Sequence, residues 1–301
     1  MFALSKQNMG PIHLNIPVEE PLYGMTITPI AFPKLKLQTI SYLKLDTSNL
    51  QSMWNKAERK MVLVGVSKPD AELSSVLSKL LEDPAVVVLT EKTSNFSHPK
   101  AIGAIDCLMA PLELEPNNLV DLQPDILITI GGMVVSKKIK FFLRQYQAKH
   151  HFHLGRTVAN DTFFYLTEHI DGPATTTLDS LDIGNKGSYQ STVLSYYNRY
   201  LQTAAGYLKK IPFSDLRVFD MVRAALPQNT HLQIANSSAV RYIQLFDLPT
   251  GTEVFCNRGT AGIDGSTATA MGAAQINPKK TVLITGDLSF FYDMNALWNK
   301  Y

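Results

Sequence analysis

From about Lys56 onward, apolar residues gather into short unbroken runs separated by amphipathic stretches. Residues 60–66, KMVLVGV, are β-branched and apolar at successive positions. That pattern predicts a strand buried on both faces of a parallel sheet, since a strand with one wet face would alternate. A helix is predicted from 69 to about 82, a second strand at 85–90 and a third at 125–132 ending in Gly131-Gly132. A helix at 136–148 and a fourth strand at 151–154 follow. Strands alternating with helices across short connections predict a doubly wound α/β unit. Upstream, residues 10–17 read as a strand with alternate residues buried, and 19–23 as an exit loop. Its sheet partners are not in the residues that follow, so it reads as the last strand of a preceding unit.

After Thr177 the pattern changes. Residues 178–212 carry Asp, Ser, Asn, Gly and aromatics without strong periodicity until a Tyr-rich helix near 195–209, and read as a connector. A second unit then begins, with Asp215 capping a helix at 216–226 and a strand at 231–235 that runs into Asn236-Ser237-Ser238. Small polar side chains at a strand end, before a helix N-terminus, suit an anion, and Arg241 lies one turn into that helix. The strand at 254–256 leads into NRGTAGIDG, residues 257–265, where three glycines in seven residues let backbone amides come close to a ligand. Arg258 there is a planar, permanent cation for a carboxylate or phosphate. A small-residue helix at 266–274 and a TVLIT strand precede Gly286-Asp287 and a new helix. This places a carboxylate at the C-terminal edge of a sheet, where α/β proteins bind phosphorylated ligands.

The 301 residues are 45% hydrophobic and 18% charged with a formal charge of +2, which suits two ordinary globular units and shows no bias toward nucleic acid. The densest basic cluster, Lys137, Lys138 and Lys140, reads as the exposed face of a helix. Cys107 and Cys256 give neither a disulfide framework nor metal-ligand spacing, and a reducing cytoplasm is expected. The start lacks the basic segment and apolar core of a signal peptide, and no run of about 18 apolar residues suggests a membrane span. Gly131-Gly132 lacks the third glycine of a dinucleotide fingerprint and reads as a tight turn. His150, His151 and His153 have no acidic or Cys partner at useful spacing and read as ordinary strand residues.

Three segments, NSSAVR at 236–241, NRGTAGIDG at 257–265 and GDLSFFYDMNALWN at 286–299, resemble the pyrophosphate domain of a thiamine-diphosphate enzyme family. The family makes 2-succinyl-5-enolpyruvyl-6-hydroxy-3-cyclohexene-1-carboxylate in menaquinone synthesis. GPIHLNIPVEEPLYG at 10–24 resembles the end of that family's pyrimidine-binding domain. The resemblance covers almost the whole chain. It implies a doubly wound parallel-sheet central α/β domain followed by the first half of a thiamine-diphosphate-binding, pyrophosphate-type α/β domain. The division it implies is 1–24, the end of the pyrimidine domain; 25–177, the central domain; 178–212, a connector; and 213–301, the first part of the diphosphate- and metal-binding domain.

The activity implied is decarboxylation of 2-oxoglutarate and addition of the succinyl unit to isochorismate. The cofactor does the hard chemistry while the protein binds and orients it. By resemblance Asp287 is a ligand of the magnesium, or manganese, that bridges the diphosphate, and Gly286 and Ser289 line that group. Ile263 is the apolar wedge that bends the cofactor. Arg241 and Arg258 match catalytic positions that hold substrate carboxylates, and Ser237 matches a neighbouring polar contact. Lys137 matches a central-domain lysine that approaches substrate, beside its reading as part of a solvated face. The resemblance also implies a cytoplasmic homodimer or dimer of dimers. The activating glutamate and the remaining metal ligands match nothing in this chain, which therefore reads as an internal piece with weak or no catalysis alone. Other readings are a non-catalytic structural or ligand-binding relative, and another thiamine-diphosphate decarboxylase or acetolactate-type synthase.

Overall fold

The repeated pairing of an apolar run with an amphipathic helix produces two parallel sheets in the computed structural model, which describes residues 15, 17, 45–155, 159–184 and 186–298. The strand and exit loop expected at 10–23 fall outside the described residues, apart from Asn15 and Pro17. The first sheet contains β1 (Lys60–Val64), β2 (Val86–Thr90), β3 (Ile126–Ile130), β4 (His150–Leu154) and β5 (Glu168–Ile170). Their order is β2-β1-β3-β4-β5, with every neighbouring pair parallel. All of β1 and β2 is buried, as continuous apolar runs require.

The alternation of side chains along each strand feeds two separate cores. On one face Val62, Val64, Ile128 and Phe152 meet α1 (Ser48–Lys56), α2 (Ala71–Leu80) and α6 (Ala174–Asp179) through Leu50, Trp54, Leu77 and Leu178. On the other, Met61, Leu63 and Leu127 meet α3 (Ile105–Leu112), α4 (Pro116–Leu122), α5 (Lys137–Gln145) and α7 (Tyr189–Leu208) through Leu108, Leu122, Phe142 and Val193. The stretch expected as a connector thus carries α7, which starts at Tyr189 and adds Tyr189, Tyr197 and Tyr200 to this core. Tyrosine buries area only if its hydroxyl is satisfied. Tyr189 donates to the Leu122 carbonyl at 2.7 Å, and the Tyr197 hydroxyl accepts from the Ala104 amide at 3.0 Å.

At the amino edge, the Lys60 ammonium meets the Asp83 carboxylate at 2.9 Å and lies 4.9 Å from the centre of the Trp54 ring. Asp83 also accepts from the amides of Ala85 and Gly184, so the buried carboxylate has hydrogen bonds on both its oxygens.

The second sheet has β6 (His231–Ile234), β7 (Glu253–Cys256) and β8 (Thr281–Ile284) in the order β7-β6-β8, all parallel. Its helices are α8 (Asp215–Ala225), α9 (Ser238–Ile243), α10 (Ser266–Ile276) and α11 (Asp287–Tyr292). Asp215, expected as a cap, is the first helical residue, behind Ser214 at the cap position. The core is small: Leu226, Leu232, Ile234, Val240 and Val254, joined by Val135 from the loop between β3 and α5. No helix among the described residues is long and apolar enough to cross a membrane.

Both sheets are doubly wound. In the first, the switch in strand order lies between β1 and β3, and there the backbones of Gly65 and Gly132 almost touch. A Cβ at Gly65 would sit 1.9 Å from the Gly132 carbonyl oxygen, and Gly131 has φ +76°, so the Gly-Gly pair is a tight turn. In the second, the chain leaves β6 for β7 on one side and returns across it to β8 on the other. The crevice outside the carboxyl ends of β6 and β8 is the position where such sheets hold ligands.

Candidate functional site

Because the three strands are parallel, their carboxyl ends share one edge and bring together loops far apart in sequence: residues 235–237 after β6, 257–265 after β7 and 285–286 after β8. Two buried side chains stitch these loops. Asn236 donates from Nδ2 to the Gly262 carbonyl at 3.0 Å and accepts through Oδ1 from Arg258 Nη1. Ser289 donates to the Ile263 carbonyl at 2.5 Å, joining the first turn of α11 to the glycine-rich loop. Asp293 accepts from the Ala268 amide at 2.6 Å and so satisfies a free donor in the first turn of α10. Ser237, just before α9, has φ +74° and ψ −130°, a conformation that a non-glycine residue holds only when its surroundings impose it.

Of the residues singled out from sequence, Ser237, Arg258, Ile263, Gly286, Asp287 and Ser289 fall at this edge, while Arg241 stands on α9 and Lys137 on α5. Gly286 and Asp287 are exposed beyond β8, and Asp287 Oδ1 accepts from the Leu288 amide at 2.8 Å. No atom lies within 4 Å of where a Cβ would stand on Gly286 or Gly259, so open space adjoins both backbones. Ile263 is half-buried above its bond to Ser289. Arg258 is half-buried, and its Nε–H is buried without an acceptor. Arg241 is exposed on α9 and lines a recess with Asp106, Ser136 and Gln244; the same arginine borders a cleft of about 1050 Å³ between α3, α7 and α9. α9 is only one and a half turns long, so the anion reading here rests on the guanidinium groups.

The basic cluster of α5 divides by environment. Lys138 pairs with Glu113 on the surface, as a solvated face would. Lys137 is exposed at the first position of α5, and its side chain makes no hydrogen bond or ion pair with the described residues. Lys140 donates to the Val134 carbonyl at 3.0 Å. Its pKa is lowered, first by burial and next by the charge of Arg258, with Arg144 and Lys137 adding to the effect and Glu91 opposing it. Lys137, Lys140 and Arg258 therefore share one positive field, carried by two different sheets. Lys140 was legible only as the residue three beyond Lys137, on the same side of a helix. Asn236 shows as an amide directly after a buried strand, while nothing local marks Asp293.

Beneath α5 lies Glu91, whose carboxyl is pushed up to about 7 by burial, against the lowering effect of two amide hydrogen bonds from Val135 and Ser136. Two of the three strand histidines are occupied with Thr129, whose hydroxyl bridges His151 Nε2 at 3.0 Å and His153 Nδ1 at 2.9 Å. Burial pushes His151 down to about 4, so it is neutral at ordinary pH.

The described residues contain no group of three His, Cys, Asp or Glu able to close around a metal. Asp287 offers one hard oxygen donor beside the open backbone of Gly286. That donor fits a divalent cation whose other ligands are phosphate and water oxygens. The unpaired Arg258 Nε–H fits an oxyanion at the same edge.

No family model matches the chain. Among curated proteins it is similar to the 2-succinyl-5-enolpyruvyl-6-hydroxy-3-cyclohexene-1-carboxylate synthases of three bacteria. It is 43% identical to that of Flavobacterium johnsoniae over 97% of the chain and 54% of the relative. The enzymes of Flavobacterium psychrophilum and Christiangramia forsetii are 42% and 41% identical, each over 99% of the chain and 54% of the relative. The chain spans about half the length of the curated relatives it matches.

Proposed function

Because the chain belongs to the family of 2-succinyl-5-enolpyruvyl-6-hydroxy-3-cyclohexene-1-carboxylate synthases, we propose that it forms the central and diphosphate-facing part of a thiamine-diphosphate-dependent transferase. The reaction is decarboxylation of 2-oxoglutarate and addition of the succinyl unit to isochorismate, in menaquinone biosynthesis. Residues 25–177 serve as the central domain, 178–212 as the connection and 213–301 as the start of the cofactor-binding domain, with 1–24 ending a preceding one. The working enzyme is a cytoplasmic homodimer or dimer of dimers.

Bound thiamine diphosphate supplies the electron sink for breaking and making the carbon–carbon bonds. The chain's own residues bind and orient. Asp287 ligates the Mg²⁺ or Mn²⁺ that holds the diphosphate, and Gly286 lets that group approach the backbone. Ser289 acts through Ile263, fixing the loop that carries this apolar wedge. Arg258 and Arg241 take substrate carboxylates with Ser237 beside them, and Lys137 approaches from α5. The single observation that carries this reading is Arg258: a half-buried guanidinium anchored at one end by Asn236, with a buried donor left for an anion.

Calorimetric titration of thiamine diphosphate with Mg²⁺ into this chain, and into a longer chain in which both cofactor-binding domains are whole, tests the reading. The longer chain should bind in the micromolar range. Asp287→Ala should weaken that binding by at least the roughly 10–100-fold that even outer-shell partners cost. Absence of binding by the folded longer chain would leave a relative that kept the fold without the chemistry.

A further inference from the structure

The junction between the two sheets rests on a carboxylate that the proposed reaction does not use. Glu91 directly follows β2 and is only 3% exposed. Each of its oxygens accepts one backbone hydrogen bond: Oε2 from the Val135 amide and Oε1 from the Ser136 amide, both at 2.7 Å. Its own amide donates to Ser94 Oγ at 3.0 Å, and that hydroxyl donates to the Val64 carbonyl at 2.6 Å, at the end of β1. The carboxylate is thus referenced to the first sheet.

What it grips belongs to both sheets. The Val135 side chain is packed in the core of the second sheet with Leu232, Ile234 and Val240. Ser136 is the cap of α5: its hydroxyl accepts from the Ile139 amide at 3.2 Å and donates to Asp106. Lys140 holds the Val134 carbonyl, so three consecutive backbone units, 134 to 136, are pinned by ionisable side chains. The next residue is Lys137.

We propose that Glu91 is a positioning residue, which fixes the backbone of Val135 and Ser136 and so sets where Lys137 and Lys140 stand relative to Arg258 across the carboxylate-binding crevice. This rests on the reading of that crevice as the place where 2-oxoglutarate binds. A carboxylate can serve two convergent N–H donors because both its oxygens accept; an amide of the same shape turns an NH₂ toward one of them. Loss of either acceptor leaves a buried N–H unsatisfied. The charged groups facing Glu91 are Asp106 on α3, Lys140 on α5 and Arg241 on α9. Asp106 disfavours the anion and Lys140 favours it. The carboxyl's position near neutrality makes the clasp weaken as the pH falls through about 7.

The experiment has one readout without substrate and one with it. In the first, amide hydrogen exchange is followed by NMR in the chain itself and in its Glu91→Gln variant. Exchange at Val135 and Ser136 should rise by about tenfold, the effect of losing one buried hydrogen bond, while β1 and β3 amides keep their rates. Unchanged exchange at 135 and 136 overturns the proposal. If Glu91→Gln does not fold, a pH titration of the wild-type chain replaces it. The Val135 and Ser136 amide shifts should then move together with a midpoint near neutrality, and their failure to titrate overturns the clasp. In the second, 2-oxoglutarate is titrated into the longer chain with thiamine diphosphate and Mg²⁺. Its affinity should fall several-fold in Glu91→Gln with cofactor affinity unchanged; an unchanged 2-oxoglutarate affinity overturns the positioning role. If the wild type takes no 2-oxoglutarate, the crevice reading fails and the role toward Lys137 with it, while the exchange result separately decides whether the clasp exists.

Discussion

The two sheets are built from similar strand sequences, yet KMVLV in β1 is buried throughout while TVLI in β8 is half-exposed throughout. The five-stranded sheet is covered on both faces by helices that each commit an apolar stripe. In the three-stranded sheet, α8 has no buried residue and α10 buries only Ser266, Thr267 and Ala270. An unbroken apolar run therefore identifies a parallel strand, but how much water it escapes depends on the layers that cover it. The covered sheet carries buried charge met by a partner, as in Lys60–Asp83. The open one carries charge with donors to spare, as at Arg258.

The largest test of that contrast is a matched pair of truncations followed by urea unfolding. Phe152→Ala, in the middle of β4, should cost about 3–5 kcal/mol, as large core aromatics do. Ile284→Ala, in β8, should cost no more than about 1–2 kcal/mol, because part of its side chain is already in water. Equal costs would break the comparison. Removing one charge of the buried ion pair by Asp83→Asn should be nearly as damaging as the core truncation, about 3 kcal/mol, since Lys60 is left buried without a counter-charge.

A pH experiment sharpens the comparison. Glu91 binds its proton more tightly folded than unfolded, so between about 4.5 and 7 its contribution to stability falls as pH rises. His151 is kept neutral in the fold, so between about 4 and 6.5 its contribution rises with pH. The two slopes oppose each other over their shared range. Glu91→Gln should therefore steepen the rise in stability between pH 4.5 and 6.5 by about 2–3 kcal/mol, read from urea midpoints across that range. A variant with a flatter profile than the wild type would show that one of the two shifts has the wrong sign. The smallest effect belongs to the exposed Lys79–Asp179 pair. Lys79→Ala should change stability by no more than about 0.5 kcal/mol, and lose even that at high salt.

Every strand but β5 was legible, as a short apolar or alternating run bounded by turn and helix signals. Much else depends on contacts that no local window contains. α3 and α4 lie across Pro111 and Pro116, which interrupt any helical periodicity, and β5 is three residues long with two of them polar. The core face of α7 is written largely in tyrosine, so its polar rings resemble a loop until their hydroxyls find carbonyl and amide partners. At the site, the Gly-Asp edge after β8 could be read directly from strand, glycine and carboxylate in succession. The clasp could not: Glu91 meets its two amides 44 and 45 residues away, and Arg258 meets Asn236 across 22. Such pairs become neighbours only once strand order is known.

Val135 has one more consequence. A side chain that leaves the loop after β3 to complete the core of the second sheet ties that core to the first sheet's chain, so the first sheet cannot come apart without opening a hole in the second. Heating should then show a single cooperative transition spanning both sheets, and replacing this one valine by alanine should let the calorimetric peak split in two.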